Sequence, residues 1–132
     1  MKMELPEFAP GLNARVELTV TDSDTAQSVG SGDVPVLATP RVLALAEAAT
    51  VAATARQIPG GVTTVGTRAE VRHRMPTPVG RKVVAHATLA KVDGHKLLFD
   101  VTIRDGQSLV AEVRVERALV DRRDFIARAL DT

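Results

Sequence analysis

One carboxylate stands alone in the most apolar stretch of the chain: from Val42 to Ala55 every residue is Val, Leu, Ala or Thr except Glu47. Burying a carboxylate without a partner is costly, and desolvation raises its pKa. Held in that way, it can serve as a general base or as a nucleophile. The plainer reading sets Glu47 on a narrow solvent strip or against an arginine. His73 ends a run in which Val65, Thr67, Ala69 and Val71 share its parity, so it is expected to face the apolar helix. An imidazole there can donate a hydrogen bond to a carbonyl or shuttle a proton near neutral pH; the plainer reading is a satisfied histidine at a sheet rim. Thr39 precedes Pro40 at the start of the apolar run, where its hydroxyl either caps the helix or orients a carboxylate or a substrate carbonyl. The free N–H groups of that helix start can also stabilise an oxyanion. Gly66 interrupts the strand that ends in His73, which marks either a simple bend or a close backbone approach. Thr39 and Glu47 are eight residues apart, about 12 Å along one helix axis, so they do not meet within one helix. Either the chain before the helix bends back, or the site draws residues from two subunits; the second arrangement is the one expected.

Between positions 68 and 82 the basic residues Arg68, Arg72, Arg74, Arg81 and Lys82 stand against Glu70 alone. Such a surplus suits either a phosphate-bearing ligand or a solvated strand face. His86 lies on the polar parity of its strand and His95 follows a turn, so neither is given a role. There is no nucleophile elbow, no phosphate-binding glycine loop and no H-E-x-x-H pair. Three separated histidines without cysteine make a poor metal site, and neither a metal nor a cofactor is expected. The lack of cysteine also excludes thiol nucleophiles and disulfides. A net charge of +1, from 17 basic and 16 acidic residues, and an aromatic content of 2% argue against a nucleic-acid partner. No uncharged apolar run is long enough to span a membrane and Met1–Pro10 has no apolar leader, so the expected location is cytoplasmic.

These residues must be positioned by a small set of elements. A chain of 132 residues with 45% hydrophobic content reads as one domain over 1–132. Residues 13–20 alternate apolar and polar as a half-buried strand, and 21–35 read as a long loop rich in Asp, Ser, Thr and Gly. The helix starts with Thr39 as cap and Pro40 as its first residue, and stops before Pro59-Gly60-Gly61. Apolar all round, it is expected to be buried all round. Four alternating strands follow around residues 65–73, 82–89, 96–104 and 109–116, with hairpin signals at Asp93-Gly94 and Asp105-Gly106. They read as a meander with one packed face and one wet face. Residues 121–130 form a last short helix capped by Asp121. The order predicts an α+β fold in which a curved antiparallel sheet wraps one central helix, the hot-dog architecture.

Val36-Leu37-Ala38-Thr39, Glu47 eight residues on, Gly66-Thr67, and His73 seven residues after that glycine together resemble the fluoroacetyl-CoA thioesterase-like family. The resemblance runs from about residue 13 to residue 126 and implies the same hot-dog fold. It implies hydrolysis of a short acyl-CoA thioester, with Glu47 as the catalytic carboxylate, either nucleophile or base for water. By the same resemblance Thr39 orients the carboxylate and the thioester carbonyl, His73 polarises or settles the acyl group, and the Gly66 N–H lies near the thioester oxygen. It implies a homodimer, or a tetramer built from it, with sites at the subunit interface. One departure stands out. The family's fluoroacetyl-specific member has phenylalanines just before the threonine, whereas Gly30-Ser31-Gly32-Asp33-Val34-Pro35 holds no aromatic residue, so a different acyl group is expected. The alternative is a non-catalytic hot-dog dimer that binds acyl-CoA or a related small ligand. A hot-dog hydratase fits less well, since its Asp and His close together after the helix are missing.

Overall fold

The computed structural model describes residues 7–131, so most of the stretch read for a leader, and the very ends of the 1–132 domain, lie outside the described residues. Five strands form one antiparallel sheet: β1 (Asn13–Thr19), β2 (Val62–His73), β3 (Lys82–Asp93), β4 (Lys96–Asp105) and β5 (Ser108–Asp121). Three helices accompany them, α1 (Ala26–Val29), α2 (Thr39–Thr54) and α3 (Arg122–Leu130). Among the described residues no helix is long and apolar enough to cross a membrane.

Strand alternation builds the core as expected. Val83, Ala85, Ala87 and Leu89 of β3, Leu97, Phe99, Val101 and Ile103 of β4, and Ala111, Val113 and Val115 of β5 all point inward and are buried. Val42, Leu45, Ala46 and Ala49 of α2 close over them. The small Ala85 and Ala87 lie beneath the helix and let it settle closely on β1 and β3. The sheet wraps this helix, which is the expected hot-dog arrangement.

The strand order is β1-β3-β4-β5-β2. The four-stranded meander is therefore corrected: only β3, β4 and β5 follow one another, while β2 pairs with β5 and forms an edge. The segment between β2 and β3 contains Pro76, Pro78 and Gly80 and cannot close a two-residue hairpin, so it carries the chain across the sheet. The true hairpin loops are Gly94-His95 and Gly106-Gln107, one residue later than the Asp-Gly pairs suggest. Each has a glycine with positive φ first and a residue without it second, as a type II′ turn requires.

Two further expectations change. Residues 21–35 are ordered rather than an open loop: Thr21 and Asp24 form a reciprocal capping box around a 3₁₀ turn, and α1 follows, capped by Thr25. Nor is α2 buried all round in one chain. It turns Ala44, Ala48, Val51 and Ala52 outward, with Val51 46% exposed. The last helix is as expected, with the Asp121 carboxylate accepting from Asp124 N at 3.0 Å.

Candidate active site

The start of α2 differs from the sequence reading in a way that frees a hydroxyl. Ala38, not Thr39, is the N-cap, and Thr39 and Pro40 occupy the first turn. Ala38 has no side chain with which to cap, and the Thr39 hydroxyl is turned elsewhere, to His73 Nδ1 at 2.8 Å. Burial pushes the His73 imidazole below the ordinary histidine value of 6.5, a shift that the Met75 main chain only partly opposes. Its Nε2 is buried and makes no hydrogen bond of ordinary geometry among the described residues.

Glu47 lies two turns further along the helix. It is not sealed in the core: its side chain is 38% exposed, so the premise of full desolvation does not hold, and the carboxylate lies against an arginine. The arginine is Arg117, whose Nη1 donates to Glu47 Oε2 at 3.2 Å. Arg117 is itself 8% exposed and is fixed by Thr64, with Nε donating to Oγ1 and Nη2 to the carbonyl, each at 3.0 Å. Burial lowers the guanidinium pKa, and the Glu47 charge and hydrogen bond work against that loss. Arg117 was not singled out from the sequence, yet its signal was there. It continues the inward parity of Val113 and Val115 by one step, and a cation on the packed face of a strand calls for an anionic partner.

Gly66 faces the same carboxylate. A Cβ on residue 66 would overlap Glu47 Oε2 and would sit 3.6 Å from Arg117 Nη1, so only glycine fits here without displacement. The register explains how it comes to point inward. Gly66 pairs with Arg117 and Arg68 with Glu116, which leaves Thr67 as a bulge. Up to the bulge Thr64 and Gly66 face in; after it Ala69, Val71 and His73 do. The single parity read from Val65 to His73 is thereby corrected, since Val65 and Thr67 do not share the face of His73. The bulged Thr67 hydroxyl is held by Glu116 Oε2 at 2.6 Å.

One chain thus holds two separate clusters, Thr39 with His73 and Glu47 with Arg117 and Gly66. The basic surplus of residues 68–82 is dispersed into ion pairs on the outer face and rim: Arg72 with Glu70, Arg74 with Glu112, Arg81 with Asp105 and Lys82 with Glu17. His86 meets Asn13 Oδ1 at 3.2 Å, and His95 lies in a hairpin loop. An open cleft of about 370 Å³ lies among Arg68, Lys91 and Arg114, away from Glu47, Thr39 and His73.

The fold has close counterparts. A threonine-to-serine mutant of FlK in complex with acetyl-CoA superimposes with a TM-score of 0.89 at 25% identity, covering 94% of this chain and 98% of that one. The fluoroacetyl-CoA thioesterase FlK itself gives 0.88 at 26% identity, over 96% and 98%. A hypothetical protein of Thermus thermophilus, a thioesterase superfamily member, gives 0.88 at 24% identity over 96% of both chains, a likeness of fold. No curated protein is significantly similar in sequence. The family model described as FlK, fluoroacetyl-CoA-specific thioesterase, matches residues 20–123, and with most of its length so matched the chain belongs to that family of thioester hydrolases.

Proposed function

We propose that this protein hydrolyses short acyl-CoA thioesters, with Glu47 as the catalytic carboxylate in a site completed by a second copy of the chain. The observation that carries the reading is the slot at Glu47: the one charged residue between Val42 and Ala55, fixed by a buried arginine, and reachable because residue 66 has no side chain. Its exposure leaves room for a thioester to approach, and the Gly66 main chain borders the same space. Glu47 either attacks the thioester carbon or takes a proton from the water that does. In both cases the carbonyl oxygen gains charge, the C–S bond breaks and the CoA thiolate leaves to be protonated; where Glu47 attacks, water then hydrolyses the glutamyl anhydride, releasing the acid and restoring the carboxylate. The Gly66 N–H is assigned to that oxygen. Thr39 and His73 are assigned to the carbonyl and acyl end of the substrate. The segment before Thr39 has no aromatic residue, so the acyl group is not expected to be fluoroacetyl.

The two-subunit part of the reading is supported by β2. It is an edge strand with one neighbour, and it carries both Gly66 and His73 on its inner face. Antiparallel pairing of β2 with its own copy, centred on Glu70 and with Thr67 bulged in each strand, would set Gly66 of one protomer opposite His73 of the other. The outward apolar strip of α2, including Val51, would be covered by the same association. The site so formed joins Glu47 of one subunit to Thr39 and His73 of the other. The whole chain is read as one such domain, acting in the cytoplasm.

The test is thiol release from a panel of acyl-CoAs, short to long, with Glu47→Gln alongside. Turnover lost in the variant is expected. A folded dimer that binds acyl-CoA but releases no thiol from any of them would overturn the reading in favour of a binding role.

A further inference from the structure

We propose that Asp24 is a positioning residue for Thr39, acting from the segment in front of the helix; the proposal rests on the thioesterase reading above. Asp24 is 8% exposed and lies in the 3₁₀ turn before α1, fifteen residues ahead of Thr39. It grips the first turn of α2 on both sides of that threonine. Its main-chain carbonyl accepts from Ala38 N at 2.9 Å. Its Oδ1 accepts from Arg41 Nε, also at 2.9 Å. The other carboxylate oxygen is spent on its own turn, accepting from Thr21 N at 2.8 Å and Thr21 Oγ1 at 2.9 Å.

This arrangement answers a problem set by the sequence of the helix start. Ala38 cannot cap, Pro40 has no N–H, and Thr39 has turned its hydroxyl to His73. The first turn keeps the main-chain bonds from Arg41 N and Val42 N to the Ala38 carbonyl but lacks the side-chain cap that usually fixes where a helix begins. Asp24 supplies the fixing from outside and places a negative charge near the helix N-terminus, where the dipole favours it. With both Ala38 and Arg41 tied to one residue, the intervening Thr39 has one rotation about the helix axis, the one that aims Oγ1 at His73 Nδ1. Among the described residues the side-chain hydrogen-bond partners of Asp24 are Thr21 and Arg41, so its loss leaves the apolar core between α2 and the sheet intact.

The experiment combines thiol release with the ring-nitrogen NMR shifts of His73 in the full chain. The variants are Asp24→Ala, Asp24→Asn, Thr39→Ala and the double variant Asp24→Ala/Thr39→Ala. Asp24→Ala is expected to lower kcat about tenfold with KM little changed, the scale of one lost hydrogen bond. It is expected to move the His73 Nδ1 resonance and to add nothing once Thr39 is already alanine. Asp24→Asn keeps an acceptor for Arg41 and should recover part of the rate. Additive losses in the double variant, or an unmoved His73 resonance in folded Asp24→Ala protein, would overturn the proposal. Should Asp24→Ala not fold, Arg41→Met removes the side-chain tie from its other end and must give the same His73 shift and the same non-additivity with Thr39→Ala. Should the wild type release no thiol, the thioesterase reading falls, while the His73 resonance still decides whether Asp24 holds Thr39 in place.

Discussion

Glu47 Oε2 occupies the space that a side chain on residue 66 would need, so Gly66 and Glu47 are parts of one device. Gly66→Ala must push the carboxylate aside. The overlapping atom is the end of a flexible side chain, which can swing away at little cost in stability. The expected outcome is a melting temperature close to wild type with kcat/KM reduced roughly 10²-fold, the scale of an ångström's misplacement of a reacting group. Steady-state thiol release beside thermal melts would check it; undiminished turnover would show that the position of Oε2 is unimportant.

Arg117→Met keeps the apolar stem and removes the charge. Glu47 then loses its partner and the Thr64 carbonyl its donor. Because Glu47 is 38% exposed, water replaces part of what is lost, and the cost stays below that of orphaning a sealed charge. We expect a loss of about 1–3 kcal/mol in stability, read by denaturant unfolding. We also expect a fall in kcat, because the carboxylate is no longer fixed over Gly66. A variant of full stability and full rate would remove Arg117 from the account.

The composite site makes a prediction about mixtures. Glu47→Gln and His73→Ala homodimers are each expected to be inactive. Refolded or co-expressed together, they form hybrids in which one of the two sites receives both intact halves, and activity should return to a fraction of wild type. No recovery in a verified hybrid would place the whole site within one chain.

One buried group, Asp24, and one half-buried group, His73, contribute to the acid side of stability. Burial alone would raise the Asp24 carboxyl, but hydrogen bonds from the Thr21 main chain, Arg41 and the Thr21 hydroxyl outweigh it and hold its pKa below the usual 3.8. His73 lies below its ordinary 6.5. In both cases the folded state binds the proton less readily than the unfolded chain, so the contribution is fully present above the ordinary value and is lost as pH falls through the lowered one. Stability should therefore begin to fall below about pH 6.5 through His73 and fall again below about 3.8 through Asp24. His73→Gln should abolish the first decline and leave the second; unfolding free energies measured from pH 7 to pH 3 would separate them.

Much of this was legible in the residues, and the exceptions have physical causes. Alternation in β1, β3, β4 and β5 carried the sheet, and the Val42–Ala55 stretch carried the helix and its one carboxylate. Thr39 as a cap failed because a tertiary partner, His73, competed for the hydroxyl and won. The inward parity of Arg117 was readable but stands two residues beyond the apolar run that draws the eye. The pairing of β2 with β5 rather than with β3 was not readable, since an edge strand and a central strand can share one pattern. The α2 strip around Val51, for which the sequence expects cover, is exposed in the chain.

The extra residue at Thr67 carries a consequence for spacing. In a regular strand two residues seven apart fall on opposite faces, and Gly66 and His73 are seven apart. They share a face only because the bulge adds one residue to the count. The interval therefore works as a reading frame: removing Thr67 while preserving Gly66 and His73 would turn one of them to solvent, and a relative that lacks the bulge must keep the same pair at an even spacing.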